Sequence, residues 1–431
     1  MATSSDKPFT VAIVGGGVIG VTTGILLNLH GIKTKIYTEY LVNEMTALDA
    51  TSFVPELASL YAAASIIPHF VNHPKSEEIL SISQKFFHRL AFTAACGVRV
   101  QRHYELYESP IKVPDYPKVI KDFQLLSEDG KSYEMDENIP YRKGAAGIWG
   151  WYFSAFFAEV PTYLQKIYEL YIASGGIFIQ EKIKNVDEFF KLNADILINC
   201  MGRWAPEFFP DDKKNTRIMR GHMIKANIFH VPHDKSNQYF SYNYTPDKDI
   251  YYQQENGKEK SSAGVYFYPR SDGWLLGGSG LSGYPEIGHD WRAEDEQVAA
   301  EILQKPEWQF GVPKPMWDLN RELILDITNI DIANPKYSSN TYIGYRFYRT
   351  PIRIEKGGNI NGKLLLHNYG HGGAGYTLSW GSAYEMLSII REEYGADIFK
   401  FKKRNVRRGF TLSLLSILED LAEEEYYSKV V

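Results

Sequence analysis

An uncharged, mostly apolar run covers residues 9–32 near the start of the chain. Its length would suffice to span a bilayer, but Gly15–Gly17 would interrupt a helix near its start. The run also lacks the basic flank and the small-residue cleavage site of a signal peptide. The pattern therefore favours a buried strand over Phe9–Val14, a glycine turn and a buried helix over Val21–His30. A second strand is predicted over Lys33–Tyr37.

The turn in this pattern reads G-x-G-x-x-G, with Gly15, Gly17 and Gly20 at its fixed positions. In such a turn the first glycine permits the tight bend, the second lets a pyrophosphate approach the backbone, and the third allows close helix–strand contact. Glu39 follows the second strand, where an acid accepts hydrogen bonds from an adenosine ribose. The sequence therefore predicts a dinucleotide site, although this motif alone does not separate FAD from NAD.

A second glycine-rich pattern lies near the other end of the chain, over residues 367–381, where H-N-Y-G-H-G-G-A-G-Y-T-L-S-W-G follows an apolar strand at Lys363–Leu366. We predict a glycine-dense loop that enters a helix at about Thr377. Such a loop brings backbone amides against a ligand that tolerates no side chains. A plain surface turn is the alternative.

The second pattern resembles the signature of the D-amino-acid oxidase family, H-N-Y-G-H-G-G-x-G-x-T-x-x-W-G. The resemblance extends from about Thr10 to Ile390 and includes the segments 148–165, 194–205 and 220–223. It implies FAD as the cofactor. Because no cysteine lies near the C-terminal flavin segment, we expect the FAD to be bound non-covalently.

The resemblance also implies a set of cofactor contacts. They are Gly15, Gly17, Val18, Ile19, Gly20, Glu39, Tyr40, Thr51, Ser52, Ile183, Cys200, Gly202, Trp204, His367, Gly372, Gly375, Tyr376 and Thr377.

Substrate contacts are implied by two further blocks. Residues 344–355 resemble the family stretch G-x-R-P-x-R-P-x-x-R, with Phe347 in place of the first proline. By this resemblance Arg353 pairs with the substrate α-carboxylate, for which a planar guanidinium offers a bidentate grip. Tyr266 would add a hydroxyl to the same carboxylate, and the Gly373 carbonyl would accept a hydrogen bond from the amine. The alternatives are a surface strand arginine and a core tyrosine.

The chain departs from the family pattern between Tyr244 and Gly264, where it carries extra polar residues. In the family this region closes over the active site, so Tyr251 or Tyr252 is a candidate lid residue. Arg270 is a second departure. Either it reaches an acidic substrate side chain or it points into solvent.

Composition narrows the class of protein. A formal net charge of -5 over 431 residues argues against nucleic-acid binding through a basic surface. The two cysteines, Cys96 and Cys200, lack the spacing of a metal site, so we expect no metal and a reducing, cytoplasmic location. The last residues do not form the Ser-Lys-Leu peroxisomal signal. A predicted tail helix over residues 410–421 could dock on its own chain, on a second copy in a homodimer or on a membrane surface.

The predicted fold class is α/β, with a Rossmann-type FAD-binding domain interleaved with an α+β substrate domain built on a mixed sheet. The FAD-binding domain would comprise residues 9–55, 151–220 and 340–395. The substrate domain would comprise residues 56–150 and 221–339, and residues 396–431 would form the helical tail.

The implied activity is oxidative deamination of an amino acid, with a D-amino acid preferred. Hydride would pass from Cα to flavin N5, and the products would be an imino acid that hydrolyses to a keto acid, ammonia and, with molecular oxygen as acceptor, hydrogen peroxide. Alternatives are a related oxidase or dehydrogenase acting on glycine, an N-methyl amino acid or a biosynthetic amine.

Overall fold

The computed structural model describes residues 9–41, 57–67, 72–93, 96–113, 120, 122–126, 139–234, 236–253, 261–278, 281–283, 308–309, 312–399 and 416–422. The uncharged run folds as predicted, into strand β1 (Thr10–Val14), a glycine turn and helix α1 (Val18–Leu29), and strand β2 (Lys33–Thr38) follows. The helix begins already at Val18 rather than at Val21.

Polar residues inside the uncharged run have hydrogen-bond partners in the run and in the neighbouring structure. The Thr22 hydroxyl donates to the Val18 carbonyl at 2.9 Å. The Asn28 side chain donates to Ser174 Oγ at 2.9 Å, and its carbonyl oxygen accepts from the Thr34 amide at 3.1 Å. Because these polar groups are paired inside the protein, α1 can be almost completely buried in the protein core.

Other elements follow in chain order. The strands are β3 (Ser65–Ile66), β4 (Val98–Tyr107), β5 (Gln124–Leu125), β6 (Trp149–Ala158), β7 (Ile177–Gln180), β8 (Ile196–Asn199), β9 (Thr216–Ala226), β10 (Phe240–Thr245), β11 (Tyr252–Gln253), β12 (Ser261–Ser262), β13 (Val265–Arg270), β14 (Gly273–Gly277), β15 (Leu281–Gly283), β16 (Trp308–Gln309), β17 (Val312–Pro313), β18 (Asn340–Ile360) and β19 (Lys363–His371). The helices are α2 (Ser76–Ala91), α3 (Val160–Ala173), α4 (Val186–Lys191), α5 (Ala205–Phe208), α6 (Lys314–Thr328) and α7 (Gly375–Tyr394).

One mixed sheet of fifteen strands joins most of these strands. Its order is β3-β6-β4-β10-β13-β14-β9-β18-β19-β8-β1-β2-β7, with β15 beside β9 and β5 beside β6. From β19 to β7 the neighbours are parallel, as in a dinucleotide-binding sheet. From β6 to β19 most pairs are antiparallel. This arrangement confirms the predicted α/β class with a mixed sheet.

The parallel end is covered by helices α1, α2, α3 and α7, whose apolar side chains share one buried cluster. A short C-terminal helix over residues 416–422 joins this cluster through Leu418, Leu421 and Ala422. That part of the tail therefore docks on its own chain. Over the described ranges, no helix combines the length and the apolar character needed to cross a membrane.

Two expectations change at the sheet. Arg270 has neither of the predicted roles, because its side chain is 2% exposed and forms a two-bond ion pair with Asp272 at 2.8 and 2.9 Å. Residues 367–371 continue strand β19 instead of forming a loop, since they pair with β18. The predicted glycine-dense loop shrinks to one turn at Gly372–Ala374.

Candidate functional site

The glycines of the first turn hold strand and helix in close contact. Gly15 has a φ of +118°, and a Cβ there would lie 2.2 Å from the Cys200 carbonyl oxygen. A Cβ on Gly20 would lie 2.0 Å from the Gly15 carbonyl oxygen. Gly17 faces a cavity, where the Ser59 hydroxyl accepts a hydrogen bond from the Val18 amide at 3.0 Å. Backbone at this helix terminus is thus accessible to an anionic ligand.

The cavity has a volume of about 1470 Å³, larger than the roughly 300–1,000 Å³ of a usual small-molecule pocket. It brings together most of the predicted site residues. Those in its wall are Gly15, Gly17, Val18, Ile19, Glu39, Tyr40, Ile183, Cys200, Gly202, Trp204, Tyr266, Gly372, Gly373, Gly375 and Tyr376.

Some predicted contacts lie elsewhere. Thr377 is buried, and its hydroxyl donates to the Ile67 carbonyl at 3.1 Å. His367 lies in the core, where the Asn199 amide donates to its Nδ1 at 3.2 Å and burial lowers the pKa of the imidazole to about 3. Gly20 acts in the turn itself. Thr51 and Ser52 lie outside the described residues.

An acid marks one end of the cavity. Glu39 Oε1 accepts from the Lys182 ammonium and from the Tyr40 hydroxyl, each at 3.0 Å. Beside it, the Trp204 ring packs under the Arg203 guanidinium, 4.4 Å from the ring centroid. A carboxylate next to a flat aromatic surface suits an adenosine group.

The other end is formed by the turn into α7. Gly372 has a φ of +56°, and a Cβ there would overlap the Tyr348 ring at 2.1 Å. At Gly375, where α7 begins, a Cβ would meet nothing within 4 Å. The first-turn amides of a helix have no partners within the helix and favour negative charge. An acid, a glycine turn and a helix terminus along one cavity therefore fit FAD.

Arg353, the predicted carboxylate clamp, does not line this cavity. Its Nε donates to Glu355 at 2.7 Å, and its NH1 donates to the Tyr369 hydroxyl at 2.9 Å and lies 3.7 Å from Asp212. The guanidinium is therefore occupied by two carboxylates and a phenol of its own chain.

A different arginine of the same block, Arg346, lies in the cavity wall with Tyr266 and Gly373. A Cβ on Gly373 would be 3.7 Å from Arg346 Cδ, and a Cβ on Gly221 would be 2.8 Å from Arg346 NH1. A Cβ on Gly277 would be 2.3 Å from the Tyr266 hydroxyl. Both side chains therefore lie flat over glycines of the sheet and face the same space.

Arginine and tyrosine interact within this group. Burial raises the pKa of the Tyr266 hydroxyl, and the charge and a hydrogen bond of Arg346 partly oppose that rise. Tyr266 thus stays a protonated donor beside a permanent cation. A cation and a hydroxyl donor facing one space can hold a carboxylate.

Sequence reasoning missed Arg346, Ser59 and Lys182. A signal existed for Arg346, because it lies in the same arginine-rich block as Arg353. In the sheet this block pairs with β9, and Gly344 lies opposite Gly221. Arginines 346 and 353 both occur in β18, and a register shift between Tyr348 and Arg353 interrupts the strand alternation, so parity could not separate them. Ser59 and Lys182 reach the site only through tertiary packing.

Comparison with known proteins agrees with this geometry. The model of the FAD dependent oxidoreductase family, DAO, matches residues 10–388. A D-amino-acid oxidase of Streptomyces coelicolor is 24% identical over 396 residues, covering 89% of this chain and 97% of the relative. A D-aspartate oxidase of Talaromyces thermophilus is 23% identical over 407 residues, covering 89% and 95%.

Solved structures share the fold. An iminodiacetate oxidase from Chelativorans sp. BNC1 superposes with a TM-score of 0.54 at 13% identity, covering 89% of this chain and 95% of that one. A glycine oxidase from Bacillus cereus gives a TM-score of 0.52 at 15% identity, covering 93% and 100%. At these identities the likeness concerns the fold alone.

Proposed function

Because the chain belongs to the FAD dependent oxidoreductase family, we propose that this enzyme oxidises the α-carbon of an amino acid, with D-amino acids as its substrates. The observation that carries the proposal is the pairing of Arg346 with Tyr266 beside Gly373 in one cavity. The names of the curated relatives, D-amino-acid oxidase and D-aspartate oxidase, support the same substrate class.

FAD is the cofactor, and bound in this cavity it would supply the acceptor for the hydride from Cα and, in this proposal, the route by which the electrons reach oxygen to give hydrogen peroxide. We assign the ribose to Glu39, the pyrophosphate to the backbone at Gly17, and the flavin end to the turn at Gly372–Gly375. The amides of the first turn of α7 would stabilise negative charge there.

The substrate carboxylate is assigned to Arg346 and Tyr266. A planar guanidinium can donate two parallel hydrogen bonds to a carboxylate, and the phenol adds a third. Because the pKa of Tyr266 is raised, the phenol keeps its proton at the mildly alkaline pH that deprotonates an amino group. The Gly373 carbonyl is assigned to accept a hydrogen bond from the substrate amine, and these contacts together fix the orientation of Cα.

Anaerobic bleaching of the FAD absorbance tests the proposal across D-amino acids, L-amino acids, glycine and sarcosine. We expect D-amino acids to bleach the cofactor and, under air, to give hydrogen peroxide. Bleaching by glycine or sarcosine alone would indicate that the substrate is another amine. A yellow protein that no compound bleaches would refute the proposal.

A matched pair of variants tests the clamp. Arg346→Lys should raise the amino-acid concentration for half-maximal bleaching roughly tenfold to a hundredfold, because a point charge replaces the bidentate grip. Arg353→Lys should mainly lower the Tm, since Arg353 contacts Asp212 and Tyr369. The reverse pattern would return the clamp to Arg353.

A further inference from the structure

A row of three polar side chains lies on strands β4, β10 and β13, which form the wall of the cavity that we call its roof. In the sheet Tyr266 of β13 pairs with Asn243 of β10, and Asn243 pairs with Glu105 of β4. Directly opposed residues of neighbouring strands share a face, and all three line the cavity. Two strand spacings, roughly 10 Å, separate the backbone of Glu105 from that of Tyr266.

Glu105 is a buried acid, with an exposure of 1%. Its Oε1 accepts from the Asn243 amide at 2.8 Å and lies 2.9 Å from His103 Nε2. The other ring nitrogen of His103 lies 2.9 Å from Ser241 Oγ. The carboxylate is thus held in place by side chains of β4 and β10.

Tyr268 interacts with both Glu105 and the clamp residues. Tyr268 stacks on His103 at 5.9 Å and donates to the Asn243 carbonyl oxygen at 2.8 Å. Burial and the charge of Glu105 raise the pKa of the Tyr268 hydroxyl, while the charge of Arg346 opposes them. The cavity roof thus holds a cation at one side and an anion at the other.

We propose that Glu105 binds the cationic end of the substrate side chain, so that the enzyme prefers basic amino acids with a lysine-like stem. The carboxylate would lie at Arg346 and Tyr266, and the side chain would run along the row toward Asn243 and Glu105. A carboxylate that lines the cavity can accept charge-assisted hydrogen bonds from the ammonium group of such a side chain. This assignment rests on the proposed function and adds the substrate class to it.

A binding experiment separates this role from contact with the α-amino group. Calorimetry would compare 6-aminohexanoate with hexanoate, which both lack the α-amine and differ only in the terminal ammonium. The FAD-loaded wild-type enzyme should bind 6-aminohexanoate about tenfold more tightly or better, and Glu105→Gln should remove the difference. Equal binding of the two acids by the wild type would overturn the proposal.

A kinetic experiment uses D-lysine and its uncharged counterpart D-norleucine. The rate of anaerobic FAD bleaching at low substrate should favour D-lysine in the wild type, and Glu105→Gln should lower the lysine-to-norleucine ratio about tenfold or more. Glu169→Gln removes an acid that pairs with Lys166 on α3 and serves as the charge control. An equal loss for both substrates in Glu105→Gln would instead indicate a role at the α-amine.

The outcomes also distinguish a failure of the Glu105 assignment from a failure of the proposed function. If neutral D-amino acids bleach the cofactor while D-lysine has no advantage in the wild type, this assignment fails and the proposed function stands. If no amino acid of either hand bleaches it, the proposed function fails. The wild-type comparisons decide the matter even if Glu105→Gln does not fold.

Discussion

His367 is a buried base kept neutral by its surroundings. Its side chain is 1% exposed, and its Nδ1 accepts a hydrogen bond from the Asn199 amide. Burial disfavours the charged ring and the nearby charge of Arg353 adds to this effect, so the pKa falls to about 3. The family signature thus contributes here a core residue that lies outside the cavity wall.

A pH dependence of stability follows from this histidine. In the unfolded chain its pKa returns to about 6.5, so between about pH 6.5 and the folded pKa the unfolded state binds the extra proton. The stability that the neutral ring contributes is therefore fully present above about pH 6.5 and is lost as the pH falls, by at most about 1.4 kcal/mol per pH unit.

Denaturant unfolding at about pH 7 and about pH 5, with FAD in constant excess, measures how the free energy of unfolding changes with pH. His367→Gln should reduce the loss of stability between the two values, and substitution of the exposed His88 by Gln is the control. If His367→Gln loses as much stability between the two pH values as the wild type, His367 is not a source of the pH dependence.

Glycines in strands β9 and β14 shape the site, because they carry no side chain there. Gly221 of β9 and Gly277 of β14 leave room for the Arg346 guanidinium and the Tyr266 phenol, respectively. Since a Cβ at either position would come within 3.0 Å of these groups, a methyl group would displace them from the sheet surface. In the proposed site the sheet surface would thereby set the height at which the substrate carboxylate binds.

Gly277→Ala should therefore weaken substrate binding while leaving FAD in place. We expect the KM for D-amino acids to rise roughly tenfold to a hundredfold, the cost of misplacing a binding group by about an ångström. In a Tyr266→Phe background the same alanine should cost less, because the displaced hydroxyl is already absent. Additive losses in the double variant would show that the glycine acts by another route.

Element types followed from the sequence better than their ends did. The β1–α1–β2 unit was predictable from its hydrophobic pattern, because the polar side chains of α1 all find hydrogen-bond partners inside the fold, near or far in the chain. The signature segment was misjudged as a loop, since glycines there hid a strand whose partner, β18, comes from the preceding block. Within that block Arg353 stays a prediction from the resemblance, and the position of the cavity is what favours Arg346 for the proposed clamp.

At the scale of the whole molecule, Arg270 ties the roof of the cavity to its wall. Its NH1 donates to the Leu60 and Ala62 carbonyls, each at 3.0 Å, and Ala62 lines the cavity. Burial alone would raise the pKa of the Asp272 carboxyl, but the charges and hydrogen bonds of Arg270 and Lys225 outweigh it and hold that pKa low. The β13–β14 hairpin and the segment near residue 60 are thus held together by one buried ion pair.

Arg270→Met should destabilise the enzyme by about 3–5 kcal/mol, because it leaves Asp272 buried beside one remaining cation. Thermal unfolding of the FAD-loaded protein measures the effect as a fall in Tm. Adding Asp272→Leu should restore part of the lost stability, since the double variant no longer buries the carboxylate. A Tm for Arg270→Met equal to that of the wild type would refute this role.

The continuous sheet has a consequence for engineering. Strands β9 and β18 run side by side through its middle, so the parallel end and the antiparallel part of the sheet cannot be exchanged as independent modules in gene shuffling. A crossover placed inside either strand would combine half of one hydrogen-bonded ladder with half of another. Grafts should instead exchange complete roof strands, such as β10 with its partner β13, and leave the central pair to one parent.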